Sequence, residues 1–230
     1  MPLAAVIVAS GSSRRMGFDK LAAPLAGVPV LRRSVETFLA CDFVGPVIVV
    51  CPAGRFDSVG LNDLAAPSPI RIDGGPERQS SVALGVAAVP ENIEFIAVHD
   101  GARPLVTREI IAETYARARE SGAATAARPV NETLKRGDAR NFTCGDVDRE
   151  NLWLVETPQI FRADLLRQAC RVVAEQNATV TDDVSAVELL GVPARLVPSP
   201  TPNPKITRPE DLPLAEKWVI RHSHSICPES

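Results

Sequence analysis

Three cations and several small residues lie together just after the first apolar run of the chain, and this combination can bind phosphate. The loop comprises Gly11, Ser12, Ser13, Arg14, Arg15, Met16, Gly17, Phe18, Asp19 and Lys20. Backbone N–H groups of small residues can close around phosphate oxygens, while arginine and lysine add charge and forked hydrogen bonds. The spacing from Gly11 to Gly17 fits neither the P-loop pattern nor the dinucleotide-binding glycine pattern. An ordinary strand-to-helix turn with surface arginines would contain the same residues, so the later segments must decide.

The elements that would position this loop alternate between strand and helix. Strand-like apolar runs occupy residues 3–9, 46–51, 70–73, 93–99 and 123–130. Helix-length segments lie between and after them, at residues 30–40, 79–89, 108–121 and 162–176. Such alternation predicts an α/β fold with a mostly parallel, twisted sheet and helices on both faces.

Ligands of such sheets bind beyond the carboxyl ends of the strands, where the loops meet. Residues 10–20 follow the first predicted strand, residues 74–78 (Gly-Gly-Pro-Glu-Arg) follow the third, and residues 100–104 (Asp-Gly-Ala-Arg-Pro) follow the fourth. We therefore expect these three loops to form one site.

Composition and charge restrict the class of protein. The 230 residues are 45% hydrophobic and 23% charged, which is typical of a globular chain, and we expect a single domain over residues 1–230. A net charge of −3 argues against a nucleic-acid partner, because such a protein needs a basic face to neutralise phosphates. A small anionic substrate could still bind in a local basic pocket.

The start of the chain and the cysteines predict a cytoplasmic protein without a membrane partner. The apolar start is too short to span a bilayer, and Arg14, Arg15 and Lys20 follow it, whereas the charges of a signal peptide precede the apolar run. The cysteines are scattered and include no C-x-x-C pair: Cys41, Cys51, Cys144, Cys170 and Cys227. They are typical of reduced thiols, not of disulfides or a zinc site.

The alternation of strand and helix breaks between residues 131 and 155. Short, polar, turn-rich pieces there surround Gly137 and Gly145, and the stretch is too long for a simple connection. It predicts a small inserted β-arm. Because Phe142 and Trp153 give the arm apolar faces that need burying, we expect it to pack against a twofold partner and form a homodimer. A solvent-exposed excursion is the alternative.

Taken together, the motifs resemble the 2-C-methyl-D-erythritol 4-phosphate cytidylyltransferase family. The resemblance is carried by residues 11–16, Lys20, residues 74–78, 98–104, 147–149, 157–159, 181–188 and 205–212. Each motif alone is weak, but their order and spacing are specific. The resemblance implies a Rossmann-like nucleotidyltransferase fold and an enzyme that transfers the cytidylyl group of CTP to an alcohol phosphate, 2-C-methyl-D-erythritol 4-phosphate, giving a CDP-alcohol and pyrophosphate in isoprenoid synthesis. The alternative is a cytidylyltransferase that acts on ribitol 5-phosphate or another sugar or alcohol phosphate. A non-enzymatic nucleotide-binding module is disfavoured, because binding alone does not require so many cations.

The resemblance also implies roles for individual residues. The catalytic residues would be Arg15, Lys20 and Lys205. The nucleotide-binding residues would be Ala9, Ser10, Gly11, Ser12, Gly75, Ser81 and Asp100. The acceptor-binding residues would be Arg103, Thr133, Arg149, Thr157 and Lys205, with Thr133 and Arg149 reaching a neighbouring subunit from the arm. The expected cofactor is Mg²⁺, bridged mainly by CTP phosphates with no dedicated protein ligand.

Some features allow two interpretations or depart from the family pattern. Arg78 could belong to the site or be an ion-pair partner at a helix start, and Asp182 and Asp183 are expected to cap a helix. The loop from Met16 to Lys20 is shorter than in typical members, and Gly101 stands where alanine is usual, which we expect to loosen its loop.

Overall fold

The computed structural model describes residues 3–11 and 17–226. Within these residues the chain forms the strands β1 (Leu3–Val8), β2 (Pro24–Leu25), β3 (Val28–Pro29), β4 (Val44–Val50), β5 (Ile70–Ile72), β6 (Phe95–Asp100), β7 (Ala123–Pro129), β8 (Leu134–Gly137), β9 (Thr143–Val147), β10 (Trp153–Arg162) and β11 (Arg195–Pro198). The first, second, third, fourth and fifth predicted strands correspond to β1, β4, β5, β6 and β7.

One seven-stranded sheet organises the molecule, in the order β11-β7-β10-β6-β1-β4-β5. The strand β1 lies near the middle and pairs in parallel with β4 and β6, so that Val6 faces Ile48 on one side and Val98 on the other. The strand β10 runs antiparallel to both of its neighbours, β6 and β7. The predicted mostly parallel sheet is confirmed, and the antiparallel β10 is an addition to it.

Helices connect the strands in the alternation that the sequence predicts. They are α1 (Val30–Leu39), α2 (Ala53–Ser58), α3 (Arg78–Ala87), α4 (Arg108–Ser121), α5 (Ala163–Glu175), α6 (Asp183–Glu188) and α7 (Asp211–Ile226), with a 3₁₀ turn at Leu61–Asp63. The helix α4 shows why the ends fall where they do. Thr107 accepts a hydrogen bond from the Ile110 N–H at its start, and Gly122 ends it with a φ of 84°.

The sheet is covered on both faces because its central strand β1 is apolar at every position. Along β1, Leu3, Ala5 and Ile7 point into a core that contains residues of α1, α4 and α7. Ala4 and Val6 point into a second core, built with residues of α3, α5 and α6. This two-sided burial is the arrangement expected of parallel strands joined by helical crossovers.

A separate antiparallel ribbon of β8 and β9 lies inside the predicted arm. Leu134 pairs with Val147 in it, and an ion pair joins Lys135 to Asp146 across the ribbon. Most of its side chains are exposed in the single chain. None of the helices in the described part of the chain combines the length and the apolar character that a membrane crossing requires.

Candidate active site

Asp100, the last residue of β6, is the centre of a cluster of charged side chains at the carboxyl edge of the sheet. The Lys205 Nζ lies 2.9 Å from Asp100 Oδ2, and the Arg78 Nε lies 3.3 Å from Oδ1. The Arg103 Nε lies 3.7 Å from Oδ2. Burial alone would raise the pKa of the Asp100 carboxyl, but the positive charges of Arg78 and Lys205 outweigh it and hold that pKa well below its ordinary value. Asp100 is therefore an anion that gathers three cations around one point.

A buried histidine holds the backbone that presents Asp100. The Asp100 N–H donates to Thr157 Oγ1 at 3.1 Å, and Thr157 Oγ1 lies 3.0 Å from His99 Nδ1. The other ring nitrogen, Nε2, lies 3.2 Å from the Arg103 carbonyl oxygen, which can only accept, so Nε2 carries the proton and Thr157 donates to Nδ1. The chain of bonds joins β6 to β10 and fixes the loop between Asp100 and Arg103.

The segment that carries Lys205 is docked onto the same loop through Asn203. The Arg103 Nη1 donates to the Asn203 carbonyl at 2.7 Å, and the Asn203 Nδ2 donates to the Thr157 carbonyl at 2.8 Å. The Ile206 N–H donates to the Ala102 carbonyl at 2.8 Å. These bonds flank Lys205 on both sides, so its ammonium group is aimed at Asp100 by a fixed backbone.

The residues predicted to line the nucleotide pocket meet beside the end of β1. The Ser10 hydroxyl donates to Ser81 Oγ at 2.8 Å, and Ser81 Oγ accepts from the Gly75 N–H at 3.1 Å. At Gly74 an added Cβ would lie 2.5 Å from the Ser10 Cβ, so only glycine allows this approach. The contacts tie the first strand, the Gly-Gly loop and the start of α3 into one wall, and the Ala9 backbone adjoins it.

Lys20 links the nucleotide loop to the Lys205 segment. Its Nζ donates to the Ile206 carbonyl at 2.5 Å, one residue beyond Lys205. Two of the predicted catalytic residues are thus brought together in space. Gly11 is exposed at the mouth of the loop. The predicted catalytic Arg15 and the predicted nucleotide-binding Ser12 lie outside the described residues.

Arg78 and Asp183 form a second ion pair behind Asp100. The Arg78 Nη2 lies 2.8 Å from Asp183 Oδ2, while the Nε of the same guanidinium faces Asp100. Asp182 caps α6 by accepting from the Ser185 N–H, as predicted, whereas Asp183 is buried and pairs with Arg78 instead of capping. Both interpretations of Arg78 therefore hold, because it begins α3 and also contacts the site.

Three predicted acceptor-binding residues lie in different surroundings from Arg103 and Lys205: Thr133, Arg149 and Thr157. Thr133 and Arg149 are exposed, and Arg149 donates to the Asn131 carbonyl within the arm. Thr157 is buried with its hydroxyl engaged by Asp100 and His99, so its observed contacts are to the wall of the site. The acceptor-binding roles of these three residues stay predictions.

The expectation that Gly101 loosens its loop is wrong. Its N–H donates to the Val8 carbonyl at 3.0 Å, and its own carbonyl accepts from the Ser34 hydroxyl at 3.1 Å. A Cβ added there would lie 2.7 Å from Leu31 Cδ1. Glycine therefore allows close packing of the loop against α1. His99 and Asn203 were not predicted as parts of the site, although they lie one and two residues from the predicted Asp100 and Lys205.

A cationic cluster at the carboxyl edge of a mostly parallel, Rossmann-like sheet, beside the residues that follow β1, is the arrangement typical of a nucleotidyltransferase. The model of the 2-C-methyl-D-erythritol 4-phosphate cytidylyltransferase family matches residues 3–221. The chain belongs to that family.

Individual relatives agree with this assignment. The chain is 40% identical over 225 residues to the 2-C-methyl-D-erythritol 4-phosphate cytidylyltransferase of Caldanaerobacter subterraneus, an alignment that covers 95% of this chain and 99% of that protein. It is also 40% identical to part of the bifunctional enzyme IspD/IspF of Desulfotalea psychrophila, of which it spans 56%. The crystal structure of 2-C-methyl-D-erythritol 4-phosphate cytidylyltransferase from Thermus thermophilus superposes with a TM-score of 0.80 at 31% identity, covering 96% of this chain and all of that one.

The protein is therefore a cytidylyltransferase. It transfers the cytidylyl group of CTP to 2-C-methyl-D-erythritol 4-phosphate and releases pyrophosphate, in the non-mevalonate route to isoprenoid precursors.

Proposed function

We propose that the Asp100 cluster and the Lys20 loop form one active site for this reaction. The observation that carries the proposal is the cluster itself: Arg78, Arg103 and Lys205 surround Asp100. Arg78 also pairs with Asp183, and Lys20 binds the Ile206 carbonyl directly after Lys205, so that four cations and two carboxylates belong to this region. Such an excess of fixed positive charge suits a triphosphate and a second phosphate that must approach each other.

The reaction needs positioning and charge stabilisation more than covalent catalysis. An oxygen of the acceptor's phosphate attacks the α-phosphorus of CTP in line, the bond from that phosphorus to the bridging oxygen breaks, and pyrophosphate leaves with the electron pair. Lys20 and Lys205 would stabilise the charge on the α-phosphate oxygens, together with Arg15. Arg103 and Lys205 would hold the acceptor, with Thr157 supporting that wall of the site.

The nucleotide would occupy the wall formed by Ala9, Ser10, Gly75 and Ser81, with Gly11 and Ser12 adding backbone donors to its phosphates. Support for this placement comes from the hydrogen bonds that join Ser10, Ser81 and Gly75 beside the end of β1. Asp100 adjoins the same wall and would contact the ribose of the nucleotide.

Mg²⁺ forms part of the proposal, held mainly by the phosphates of CTP. Within the described ranges no three His, Cys, Asp or Glu side chains are grouped so that they could hold a metal ion. Both oxygens of Asp100 already face cations, so this carboxylate would reach the ion only through water. When bound, the ion would neutralise part of the triphosphate charge.

The proposal includes a cytoplasmic homodimer joined through the arm at residues 131–155, in which Thr133 and Arg149 of one chain bind the acceptor's phosphate in the site of the other. The exposed, ribbon-like arm supports it. Four cysteines in the part of the chain that the structure describes have free thiols: Cys41, Cys51, Cys144 and Cys170. Free thiols are consistent with a reducing compartment.

The experiment that tests the proposed site is pyrophosphate release from CTP with 2-C-methyl-D-erythritol 4-phosphate. Lys20→Ala and Lys205→Ala should each lower kcat/KM by roughly a hundredfold or more, because each removes one preorganised donor to developing charge. Lys217→Ala, at an exposed position of α7, is the matched control and should leave turnover unchanged. Normal turnover by both site variants would contradict the proposal. A kcat/KM that is higher with ribitol 5-phosphate than with 2-C-methyl-D-erythritol 4-phosphate would also contradict it.

A further inference from the structure

Arg55, on the short helix α2, contacts both ends of the nucleotide loop. Its side chain is only 10% exposed. The Nε lies 2.7 Å from Asp19 Oδ2, and the Nη1 donates to the Ala9 carbonyl. Ala9 immediately precedes residues 10–18 and Asp19 immediately follows them, so one guanidinium closes the base of the loop. Nothing in the reaction as described above uses Arg55.

The Asp19 end of this contact controls the backbone next to Lys20. The Asp19 Oδ1 accepts from the Leu21 N–H at 3.1 Å, and the Asp19 carbonyl accepts from the Ala22 N–H at 3.1 Å. Asp19 therefore fixes the turn that contains Lys20, while its second carboxylate oxygen is held by Arg55. Movement of Asp19 would shift Lys20 relative to the Lys205 segment.

The Ala9 end is fixed to the sheet. The Ala9 N–H donates to the Val50 carbonyl of β4 at 2.9 Å, and its own carbonyl is the group that Arg55 binds. Through Asp19 and Ala9, Arg55 thereby fixes the position of Lys20 relative to the central strands. In the shortened loop that ends in Gly17-Phe18-Asp19-Lys20, the carboxylate directly before the lysine supplies the anchor.

We propose that Arg55 is a positioning residue that clamps the two ends of the nucleotide loop through Ala9 and Asp19 and so holds Lys20 against the phosphates of CTP. This inference rests on the proposed role of Lys20. The guanidinium suits the task because its fork reaches a carboxylate and a carbonyl at once, which a lysine cannot do in the same geometry.

Steady-state kinetics with CTP and 2-C-methyl-D-erythritol 4-phosphate test the clamp. Asp19→Asn keeps an acceptor for the Leu21 N–H and removes the charge that Arg55 binds. It should lower kcat/KM for CTP on the order of tenfold, and Arg55→Ala should lower it by tenfold to a hundredfold, because small displacements of a catalytic group have effects of this size. The KM for the acceptor should stay unchanged, and Arg55→Lys should restore only part of the loss.

A double variant separates positioning from general damage. If Asp19 acts through Lys20, the Asp19→Asn change should have no further effect in a Lys20→Ala protein. The matched control is Arg108→Ala, because Arg108 also binds a carboxylate at 2.6 Å and a backbone carbonyl at 3.1 Å, those of Asp42 and Ala40. It should not change kcat/KM.

Two kinetic results would overturn the inference while leaving the proposed function intact: unchanged kinetics of Asp19→Asn and Arg55→Ala, or a full tenfold loss on adding Asp19→Asn to Lys20→Ala. Circular dichroism and thermal unfolding of each variant show whether a loss comes from unfolding; a loss that disappears when only folded protein is counted also overturns it. Normal kinetics of Lys20→Ala itself would instead reject the proposed role of Lys20 and, with it, the clamp.

Discussion

His99 is held neutral by its surroundings, and its neutrality keeps the Asp100 loop in place. Burial, the largest effect, lowers the pKa of the imidazole from 6.5 to about 3. The two ring nitrogens then have opposite roles, since Nε2 donates to the Arg103 carbonyl and Nδ1 accepts from Thr157. A protonated ring would place a donor against the hydrogen that Thr157 directs to Nδ1. Asp100 and Arg103 thus depend on a group that contacts no substrate.

The neutral ring predicts a pH dependence of stability. Because the pKa of His99 is lower in the folded state than in the unfolded state, its contribution is complete above about pH 6.5 and is lost as the pH falls towards 3. Between about pH 7.5 and about pH 5.5, protonation of this group in the unfolded chain should reduce the free energy of unfolding by about 1 kcal/mol. Urea unfolding at a series of pH values measures it.

The His99→Gln protein is the comparison for that measurement. Its free energy of unfolding should lack this slope, whatever its absolute stability. Burial raises the pKa values of Glu156 and Asp183, but both groups are present in the two proteins. The difference between the two pH profiles therefore isolates His99. Parallel profiles of wild type and variant would show that the imidazole does not stay neutral in the fold.

Residues of the site were predictable from the sequence where they follow a strand or belong to a recognisable motif. Asp100, Arg103 and Lys205 are of this kind, and the structure brings them together. His99, Asn203 and Arg55 act through hydrogen bonds to backbone carbonyls or to residues far away in the chain, such as the bond from Asn203 to Thr157. No spacing rule in one sequence encodes such partners, because they exist only after the sheet has formed.

Whether a strand or helix could be predicted from the sequence depended on how far its run of apolar residues continues without a polar residue. The runs that became β1, β4 and β6 are buried along most of their length, and they were recognised. The part of β10 beyond the arm was not predicted, because its buried centre contains the polar residues Glu156, Thr157 and Gln159. Thr157 bonds to His99, and Gln159 accepts from the Asp183 N–H at the start of α6. The helix α2 is only six residues long and contains Gly54, so no helical period marks it.

The packing of α3 on the sheet predicts an unusual effect of adding a methyl group. A Cβ at Gly85 would lie 2.3 Å from Val6 Cγ1 and 2.9 Å from Val50 Cγ2. Alanine in a helix interior gains about 1 kcal/mol over glycine, but overpacking a core typically costs about 1–3 kcal/mol. Both valines are buried in adjacent strands, so the clash should prevail and Gly85→Ala should lower the free energy of unfolding.

The control for that prediction is the same substitution in open space. At Gly54 in α2 an added Cβ meets nothing within 4 Å, and Gly54→Ala should be neutral or slightly stabilising. Chemical denaturation of both variants gives the comparison. A more stable Gly85→Ala protein would mean that α3 can move away from β1 and β4 without loss.

The proposed homodimer of the whole molecule depends on the arm. Phe142 is 66% exposed in the single chain, and Leu154 and Val155 at the start of β10 are each 39% exposed. Exposed apolar side chains of this kind are what a twofold interface would cover. The exposed Arg149 donates from Nη1 to the Asn131 carbonyl within the arm. Because a guanidinium has five N–H donors, it could bind a phosphate at the same time.

The proposed exchange of arms predicts that two inactive proteins can restore each other. Arg149→Ala would damage the neighbour's site, and Lys20→Ala would damage its own. In a mixed dimer one site then receives both defects and the other receives none, so activity should rise to about half that of wild type per heterodimer, by the twofold symmetry of the interface. Arg136→Ala, on the same ribbon, should be active alone and serves as the control. Mass-tagged subunits establish that exchange has taken place. If activity stays absent after proven exchange, Arg149 acts in its own chain's site or in none, and the arm does not complete the neighbour's site.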